Sequence, residues 1–259
     1  MGLQVEHRQH TAIVTIDRPE RLNAIDGATG DALLSAFGRL EADPGVWVIV
    51  LTGRGDRAFS AGHDLHEAVG PRDSDSGLAA TIKRPRVKPS IAAVNGLALG
   101  AGLELVLACD LVVAADHATF GLPESRWGLI AGAGGLVRLP RRIPRGIAME
   151  MALTGQPIDA VRASELGLVN RVVGRDAALA AAFDLAQQIV ANGPFAVRAS
   201  RRIIEEGAEL AEDDAWKLNA TLLAQVLRSP EVAEGQAAFA GRRAPRWTSP
   251  ESWPPAGGG

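Results

Sequence analysis

The chain has 259 residues, enough for one large domain or for one domain with a small appendage. Its 27 Lys and Arg residues nearly balance 30 Asp and Glu residues, and the net charge of −3 argues against a nucleic-acid or membrane surface spread over the whole protein. A single cysteine, Cys109, excludes an internal disulfide and a cysteine-rich zinc site. The N-terminal residues lack the pattern of a signal peptide, so we expect a cytoplasmic protein.

The first half of the chain has the pattern of an α/β fold. Short apolar runs predict strands at Thr11–Ile16, Trp47–Thr52, Ser90–Val94 and Leu111–Ala114. Helical spacing of leucines predicts a helix over Ala28–Leu40. The segment Gly100–Ala108 lies between two predicted strands, and we expect it to be the crossover helix of a β-α-β unit.

The second half changes character and is predicted to be helical. Apolar residues recur at helical spacing over Ala178–Val190, Phe195–Glu206, Glu209–Leu227 and Glu231–Ala240. Two stretches lack such a pattern: His66–Pro89 is predicted to be a long irregular loop, and residues 254–259 a flexible end.

The most apolar region, Gly96–Ala115, contains two acids that a membrane span would not tolerate, Glu104 and Asp110. It is better interpreted as a buried element. Glycines 96, 100 and 102 precede Glu104 and allow another backbone or a ligand to approach a helix start closely. An acid in a first helical turn often only complements the helix dipole. Because the neighbours of Glu104 are apolar and an unpaired buried carboxylate is costly, a functional role is favoured.

Two further fragments contain polar residues beside glycines. Glu124 follows Pro123 and precedes the glycine-rich segment Gly128–Gly135, where the simplest interpretation is a loop acid that caps the next helix. The segment Ala58–Leu65 follows a predicted strand and has the pattern of a loop that presents backbone amides. Its histidine, His63, is more simply a solvated side chain than a base or a ligand, and Asp64 is expected to cap the next turn.

Taken together, these fragments resemble the crotonase family, the enoyl-CoA hydratase/isomerase group. The resemblance covers most of the chain. It begins at Arg18–Ala24, includes Ala61–Leu65, is densest from Lys88 to Glu124, and continues through Gly132–Gly135, Leu153–Ile158 and Ala163–Val169. No single fragment is decisive, but the ordered set is specific for the fold. The resemblance implies a spiral of β-β-α turns over about residues 1–192, and a C-terminal helical region over 193–259 that packs in trimers or dimers of trimers.

The resemblance also implies a substrate and site residues. The substrates of the family are acyl-CoA thioesters, so coenzyme A is part of the substrate and no other cofactor or metal is expected. By motif position, the backbone N–H groups of His63 and Ala101 form an oxyanion hole. Glu104 and Glu124 match the two glutamates of the hydratases, with Glu104 expected to activate water and Glu124 to exchange the proton on C2.

The same resemblance indicates where coenzyme A binds. Its adenine and pantetheine are expected at Arg21, Leu22 and Ala24 and at Ala61, Gly62, Asp64 and Leu65. Its phosphates are expected near Arg242 and Arg243, at the end of the last helix and often on a neighbouring subunit.

Elementary chemistry agrees with this assignment. Water adds to a 2-enoyl thioester only if the charge that develops on the carbonyl oxygen is stabilised, and each preorganised donor contributes roughly 2.7–4 kcal/mol. One proton must also leave the water while another reaches C2, which positioned carboxyl groups accelerate by about 10²–10⁴.

Alternatives remain open. Double-bond isomerisation on the same scaffold can use one glutamate, although two acids favour hydration. Other members of the family have unknown or lost activity. A binding function is more remote: one relative binds RNA, but the basic clusters Arg141–Arg145 and Arg198–Arg202 lie in predicted helices and are more simply solvated faces or subunit contacts. Nucleic acid is therefore not expected as a partner.

Overall fold

The fold is given by a computed structural model, which describes residues 2–64 and 77–248. The strands in these residues are β1 (Leu3–Arg8), β2 (Thr11–Ile16), β3 (Val48–Gly53), β4 (Ala58–Ser60), β5 (Ser90–Val94), β6 (Leu97–Leu99), β7 (Leu111–Ala115), β8 (Thr119–Gly121), β9 (Ile158–Asp159) and β10 (Arg171–Val173). The α-helices are α1 (Gly27–Ala42), α2 (Gly77–Lys83), α3 (Ala101–Leu107), α4 (Gly135–Arg142), α5 (Arg145–Thr154), α6 (Ala160–Glu165), α7 (Ala178–Val190), α8 (Pro194–Gly207), α9 (Glu212–Arg228) and α10 (Pro230–Ala240). Two 3-10 helices cover Pro19–Arg21 and Pro123–Trp127.

The strands form two sheets that the chain visits in turn. The larger sheet has the order β1-β2-β3-β5-β7-β10 and is parallel except for the β1–β2 hairpin. The smaller sheet has the order β4-β6-β8-β9. Each turn adds one strand to the larger sheet and one to the smaller sheet before a helix follows, as in β5-β6-α3. The predicted α/β spiral of β-β-α turns is therefore confirmed.

The larger sheet is covered on both faces, which explains why its strands are almost continuously apolar. In β3, Ile49 and Leu51 face the main core between the sheets, whereas Val48 and Val50 face a second core under α7. Alanines on α7 are fully buried there, and such small side chains let the helix lie close to the sheet.

The structure corrects two local predictions. The helix predicted at Gly100–Ala108 begins at Ala101, but strand β6 lies between it and Asn95, where the sequence was expected to pass directly from strand to helix. The stretch His66–Pro89 is not irregular throughout, because α2 forms within it and packs against α1. Its first part and the predicted flexible end lie outside the described residues.

The helical second half is confirmed, with α7 at its predicted bounds and α8–α10 within a few residues of theirs. None of the helices in the described ranges is long and apolar enough to cross a membrane. The division of the chain at residue 192 stays a prediction.

Candidate active site

The centre of the site is a close contact between two backbone segments. The loop after β4 packs directly on the turn between β6 and α3. A Cβ atom added at Gly102 would lie 2.2 Å from the carbonyl oxygen of Ser60, and one added at Gly62, whose φ is +98°, would lie 2.7 Å from that of Leu99. Only glycine fits these two positions. The close approach predicted for the glycine-rich segment is therefore made by another backbone.

This contact brings the two predicted oxyanion donors to the same place. Gly62, which precedes His63, is so near the start of α3 that its hypothetical Cβ would lie 3.3 Å from the Ala101 nitrogen. Ala101 is the first residue of α3, so its N–H has no partner inside the helix. Within the described ranges, the N–H of His63 also donates to no chain acceptor. Two free amides on adjoining segments are what an oxyanion hole requires.

The imidazole of His63 serves a different purpose from its amide. Its Nδ1 atom lies 2.9 Å from the carbonyl oxygen of Ile25, and the residue is exposed. The ring is thus turned toward the backbone of a neighbouring segment, and the use of the His63 amide alone stays a prediction.

Glu104 lies one helical turn after Ala101 and is only 3% exposed. Its Oε1 atom accepts a 2.8 Å hydrogen bond from the N–H of Gly135, the first residue of α4. Glu104 therefore caps the start of α4, in addition to lying in the first turn of its own helix, α3. The functional interpretation of Glu104 as a buried carboxylate is consistent with this geometry.

Glu124 lies in the 3-10 helix Pro123–Trp127 and does not cap α4, because Glu104 occupies that position. Its carboxylate contacts the turn before α3: a Cβ added at Gly100 would lie 2.8 Å from Oε1 of Glu124. The other oxygen, Oε2, is buried without a hydrogen-bond partner in the described part of the chain. A buried and unsatisfied acceptor beside the free Ala101 amide is suited to meeting a ligand.

The protonation of both carboxyl groups is shifted by their surroundings. Burial raises the pKa of Glu104; the Gly135 N–H opposes this, and the negative charge of Glu124 adds to the increase. Burial likewise raises the pKa of Glu124. Two carboxyl groups that share a dry site retain protons to higher pH than exposed glutamates do, so one acid and one base can coexist.

Glu124 also lies on the wall of an apolar pocket between the 3-10 helix, α4 and α5. Its volume is about 410 Å³, within the range of small-molecule sites. Glu124 and Arg145 are its charged residues, and the remaining walls include Leu122, Leu129, Ile130, Leu136, Leu139, Met149 and Leu153. Such walls favour an uncharged aliphatic group.

The two segments predicted to bind adenine and pantetheine are joined to each other. The N–H of Ala61 donates to the carbonyl of Leu22 at 3.0 Å, and that of Ile25 donates to the carbonyl of Gly62 at 2.8 Å. Leu22 and Asn23 have φ angles of 52° and 55°, a conformation that is rare for non-glycine residues and persists only where the surroundings fix it.

The other predicted binding residues are placed differently. Arg21 and Arg242 are exposed, and Arg243 forms a bidentate pair with Glu234 at 2.6 and 2.9 Å. Neither arginine at the end of α10 lines the apolar pocket. Their contact with a substrate stays a prediction, and Leu65 lies outside the described residues.

The basic clusters are largely engaged inside the chain. Arg142 donates to the carbonyl of Cys109 at 2.6 Å, Arg201 pairs with Asp110 at 2.8 Å, and Arg202 pairs with Glu206 at 2.8 Å. Arg198 is buried. These arginines are therefore bound or buried within the chain, and the expectation that nucleic acid is not a partner stays a prediction.

Sequence reasoning missed the groups that orient the site. The hydrogen bond from Gly135 to Glu104 and the ion pair between Arg18 and Asp64, which was expected to cap a turn, join residues far apart in the chain. Arg18 was part of a recognised motif, but the motif gave it no role. The apolar pocket lies between α4 and α5; a helix was expected after Gly128–Gly135 and around Arg141–Arg145, but no pocket was predicted there.

Comparison with known proteins identifies the family. The family model for enoyl-CoA hydratase/isomerase matches residues 6–250. The chain is 46% identical to an enoyl-CoA hydratase from Mycobacterium tuberculosis H37Rv, with a TM-score of 0.91 over 96% of this chain and 99% of that chain. An enoyl-CoA hydratase from Bacillus anthracis is 33% identical, with a TM-score of 0.92 over 96% of this chain and all (100%) of that chain. Over 256 residues the chain is 38% identical to the carnitinyl-CoA dehydratase of Proteus mirabilis, covering 95% of this chain and 98% of the relative. The chain belongs to the crotonase family, the enoyl-CoA hydratase/isomerase group.

Proposed function

We propose that this enzyme adds water across the C2=C3 bond of a 2-enoyl-CoA thioester to give a 3-hydroxyacyl-CoA. The observation that carries the proposal is the placement of two carboxyl groups around one free amide. Glu104 follows the Ala101 amide by one helical turn, and Glu124 lies against Gly100, which precedes it. Isomerisation has no evident need for the second buried acid.

In the proposed mechanism, the thioester carbonyl accepts hydrogen bonds from the N–H groups of His63 and Ala101. Ionised Glu104 takes a proton from a water molecule as its oxygen bonds to C3, and the π electrons move toward the carbonyl oxygen. Protonated Glu124 then gives its proton to C2 as the enolate collapses. The hydrogen bond from Gly135 keeps Glu104 available as the base despite its burial. The mechanism uses no metal and no cofactor beyond the coenzyme A of the substrate.

The apolar pocket favours an aliphatic acyl chain over a carnitinyl group. A trimethylammonium group is usually bound by aromatic faces or by carboxylates. The described pocket walls are mainly aliphatic and include no aromatic ring, Glu124 is protonated in the proposed mechanism, and Arg145 on the same wall would repel a cation. We therefore place carnitinyl-CoA second, although several relatives are carnitinyl-CoA dehydratases.

The test is an incubation in ¹⁸O-labelled water with 2-enoyl-CoAs of graded chain length, 3-enoyl-CoA and carnitinyl-CoA. Hydration predicts a labelled 3-hydroxyacyl-CoA and loss of the conjugated thioester absorbance. Glu104→Gln and Glu124→Gln should each lower kcat by at least about 10²-fold. Glu150→Gln, an exposed change on α5, is the matched control. Conversion of 3-enoyl-CoA to an unlabelled product, with only one glutamate required, would instead establish an isomerase.

We also propose that the chain assembles as a trimer or a dimer of trimers in the cytoplasm. Large apolar side chains are exposed on the C-terminal helices, including Ile204, Trp216, Leu227 and Phe239, which is 88% exposed. A second group lies at the apolar pocket and includes Trp127 and two of the pocket walls, Ile130 and Leu153. Exposed apolar groups of this extent are typical of subunit interfaces.

A further inference from the structure

Arg18 holds together the two segments that surround the proposed oxyanion hole. Its Nη1 atom donates to the carbonyl of Ala24 at 2.5 Å. Its Nη2 atom lies 2.9 Å from the carboxylate of Asp26 and 3.2 Å from that of Asp64. The side chains of Arg18 and Asp64 are 18% and 8% exposed, so this pairing is largely protected from water. One guanidinium thus binds both the segment that precedes α1 and the loop that follows β4.

The residues bound by Arg18 flank a short parallel β-bridge between Ile25 and His63. In that bridge, the N–H of Ile25 donates to the carbonyl of Gly62 at 2.8 Å, and the N–H of Asp64 donates to the carbonyl of Ile25 at 3.0 Å. His63 lies between these two bonds, and its own N–H is the proposed oxyanion donor. The position of that amide therefore depends on how firmly the two segments stay joined.

We propose that Arg18 is a positioning residue that fixes the His63 N–H against the Ala101 N–H. This inference rests on the proposed function, because it takes the two amides to bind a thioester oxygen. Without the guanidinium, the carboxylates of Asp26 and Asp64 would repel each other across the bridge, and the buried Asp64 would lose a charged partner. The loop could then move the His63 amide while the Ala101 amide stays fixed by α3.

The planar fork of arginine is needed for this task. Three acceptors in different directions are bound by two nitrogens of one rigid group, which the compact ammonium of lysine does not reproduce. Arg18→Lys therefore keeps the positive charge but loosens the geometry. Loss of alignment at one of two donors is expected to lower kcat by about 10–100-fold, less than the loss of a donor. The KM for the thioester should change by less than about threefold, as expected when mainly the transition state is affected.

Two readouts separate positioning from a structural role. The first is the division of the effect between kcat and KM in enoyl-CoA hydration. The second is the infrared carbonyl stretch of bound hexanoyl-CoA labelled with ¹³C at the thioester, which reports how strongly the two amides polarise the oxygen. In Arg18→Lys the stretch should return part of the way toward its value in water. Arg54→Lys is the matched control, because Arg54 pairs with Asp17 at 3.1 Å but is 45% exposed and lies outside the bridge.

Asp64→Asn provides a second variant in case Arg18→Lys does not fold. It removes the negative charge that pairs with Arg18 in the loop after β4, and it should also shift the carbonyl stretch toward its value in water. A wild-type stretch and wild-type kcat in both folded variants would overturn the proposal. If the wild-type protein polarises hexanoyl-CoA but hydrates no enoyl-CoA, the hydratase assignment fails, and the carbonyl shift still decides the role of Arg18. If the wild-type protein binds no acyl-CoA, both proposals fail.

Discussion

Substituting alanine for Gly135 tests whether Glu104 is the base without removing any polar group. Gly135 is the first residue of α4, and its N–H donates to Glu104. Alanine retains this N–H. Its added Cβ, however, would lie 3.1 Å from Cγ and 3.2 Å from Oε1 of Glu104, and 3.1 Å from the Cβ of Ala131. The methyl group therefore presses on the carboxylate itself.

The size of the effect follows from these distances. The three contacts are a few tenths of an ångström shorter than an ordinary van der Waals contact of about 3.5 Å, so the carboxylate must move by about 0.3–0.5 Å. A misplacement of about 1 Å at a reacting group costs roughly 10²-fold in rate. The expected loss in kcat is therefore about five- to tenfold. Stability should change little, because alanine is the better helix former and offsets part of the strain.

The assay is steady-state hydration of a 2-enoyl-CoA as a function of pH, with thermal unfolding measured in parallel. The hydrogen bond from the Gly135 N–H lowers the pKa of Glu104. Displacement of the carboxylate weakens this bond and raises that pKa, so the acid limb of the kcat profile should move to higher pH. Gly132→Ala is the matched control, because its nearest contact would be the Ile130 carbonyl oxygen at 3.9 Å. Identical profiles for both variants and the wild type would refute the assignment of Glu104 as the base.

Three further predictions concern stability, the amides and assembly. Burial raises the pKa of Glu104 in the folded protein above its ordinary value of 4.5, so ionisation destabilises the fold as pH rises. Glu104→Gln should therefore raise Tm at neutral pH, with no difference below about pH 4, as measured by calorimetry at several pH values; an equal gain at all pH values would contradict this reasoning. Ala101→Pro should lower kcat by about 10²–10³-fold because it removes a donor at a helix start, whereas His63→Ala should be mild, and circular dichroism checks that both variants fold. Sedimentation should show a trimer or hexamer, and a stable monomer at micromolar concentration would count against that assembly.

The elements that were predicted well are those whose pattern is complete within the segment. Strand β2 and helix α7 have their predicted bounds. The apolar residues of β2 lie in the two cores on either side of the larger sheet, and those of α7 pack on one face of that sheet, so each element shows its pattern along its whole length. Strands β4 and β6 have three residues each and pair in parallel with each other across the chain. A run that short has no recognisable period, so only its distant partner makes it a strand.

The site shows the same division between local and distant information. An acid within an apolar run was enough to single out Glu104, and its burial follows from the same run. The partner of Glu104 lies 31 residues away, and the Asp64 partner of Arg18 lies 46 residues away. Neither interaction can be predicted from the residues that neighbour Glu104 or Arg18 in the sequence. The family resemblance supplied the candidate residues of the site but not the contacts that hold them.

The spiral explains how one carboxylate is both buried and kept ready to ionise. Glu104 belongs to α3, but its hydrogen-bond donor is the first amide of α4, which the next turn of the spiral brings beside it. Burial alone would leave the group protonated and unable to act as a base, whereas the helix start and its N–H favour the negative form. Burial raises the pKa of Glu124, and its Oε2 atom has no hydrogen-bond partner in the described residues, so we propose that Glu124 carries the proton. The different roles proposed for two chemically identical side chains thus rest on the N–H of Gly135, which bonds to Glu104 and not to Glu124.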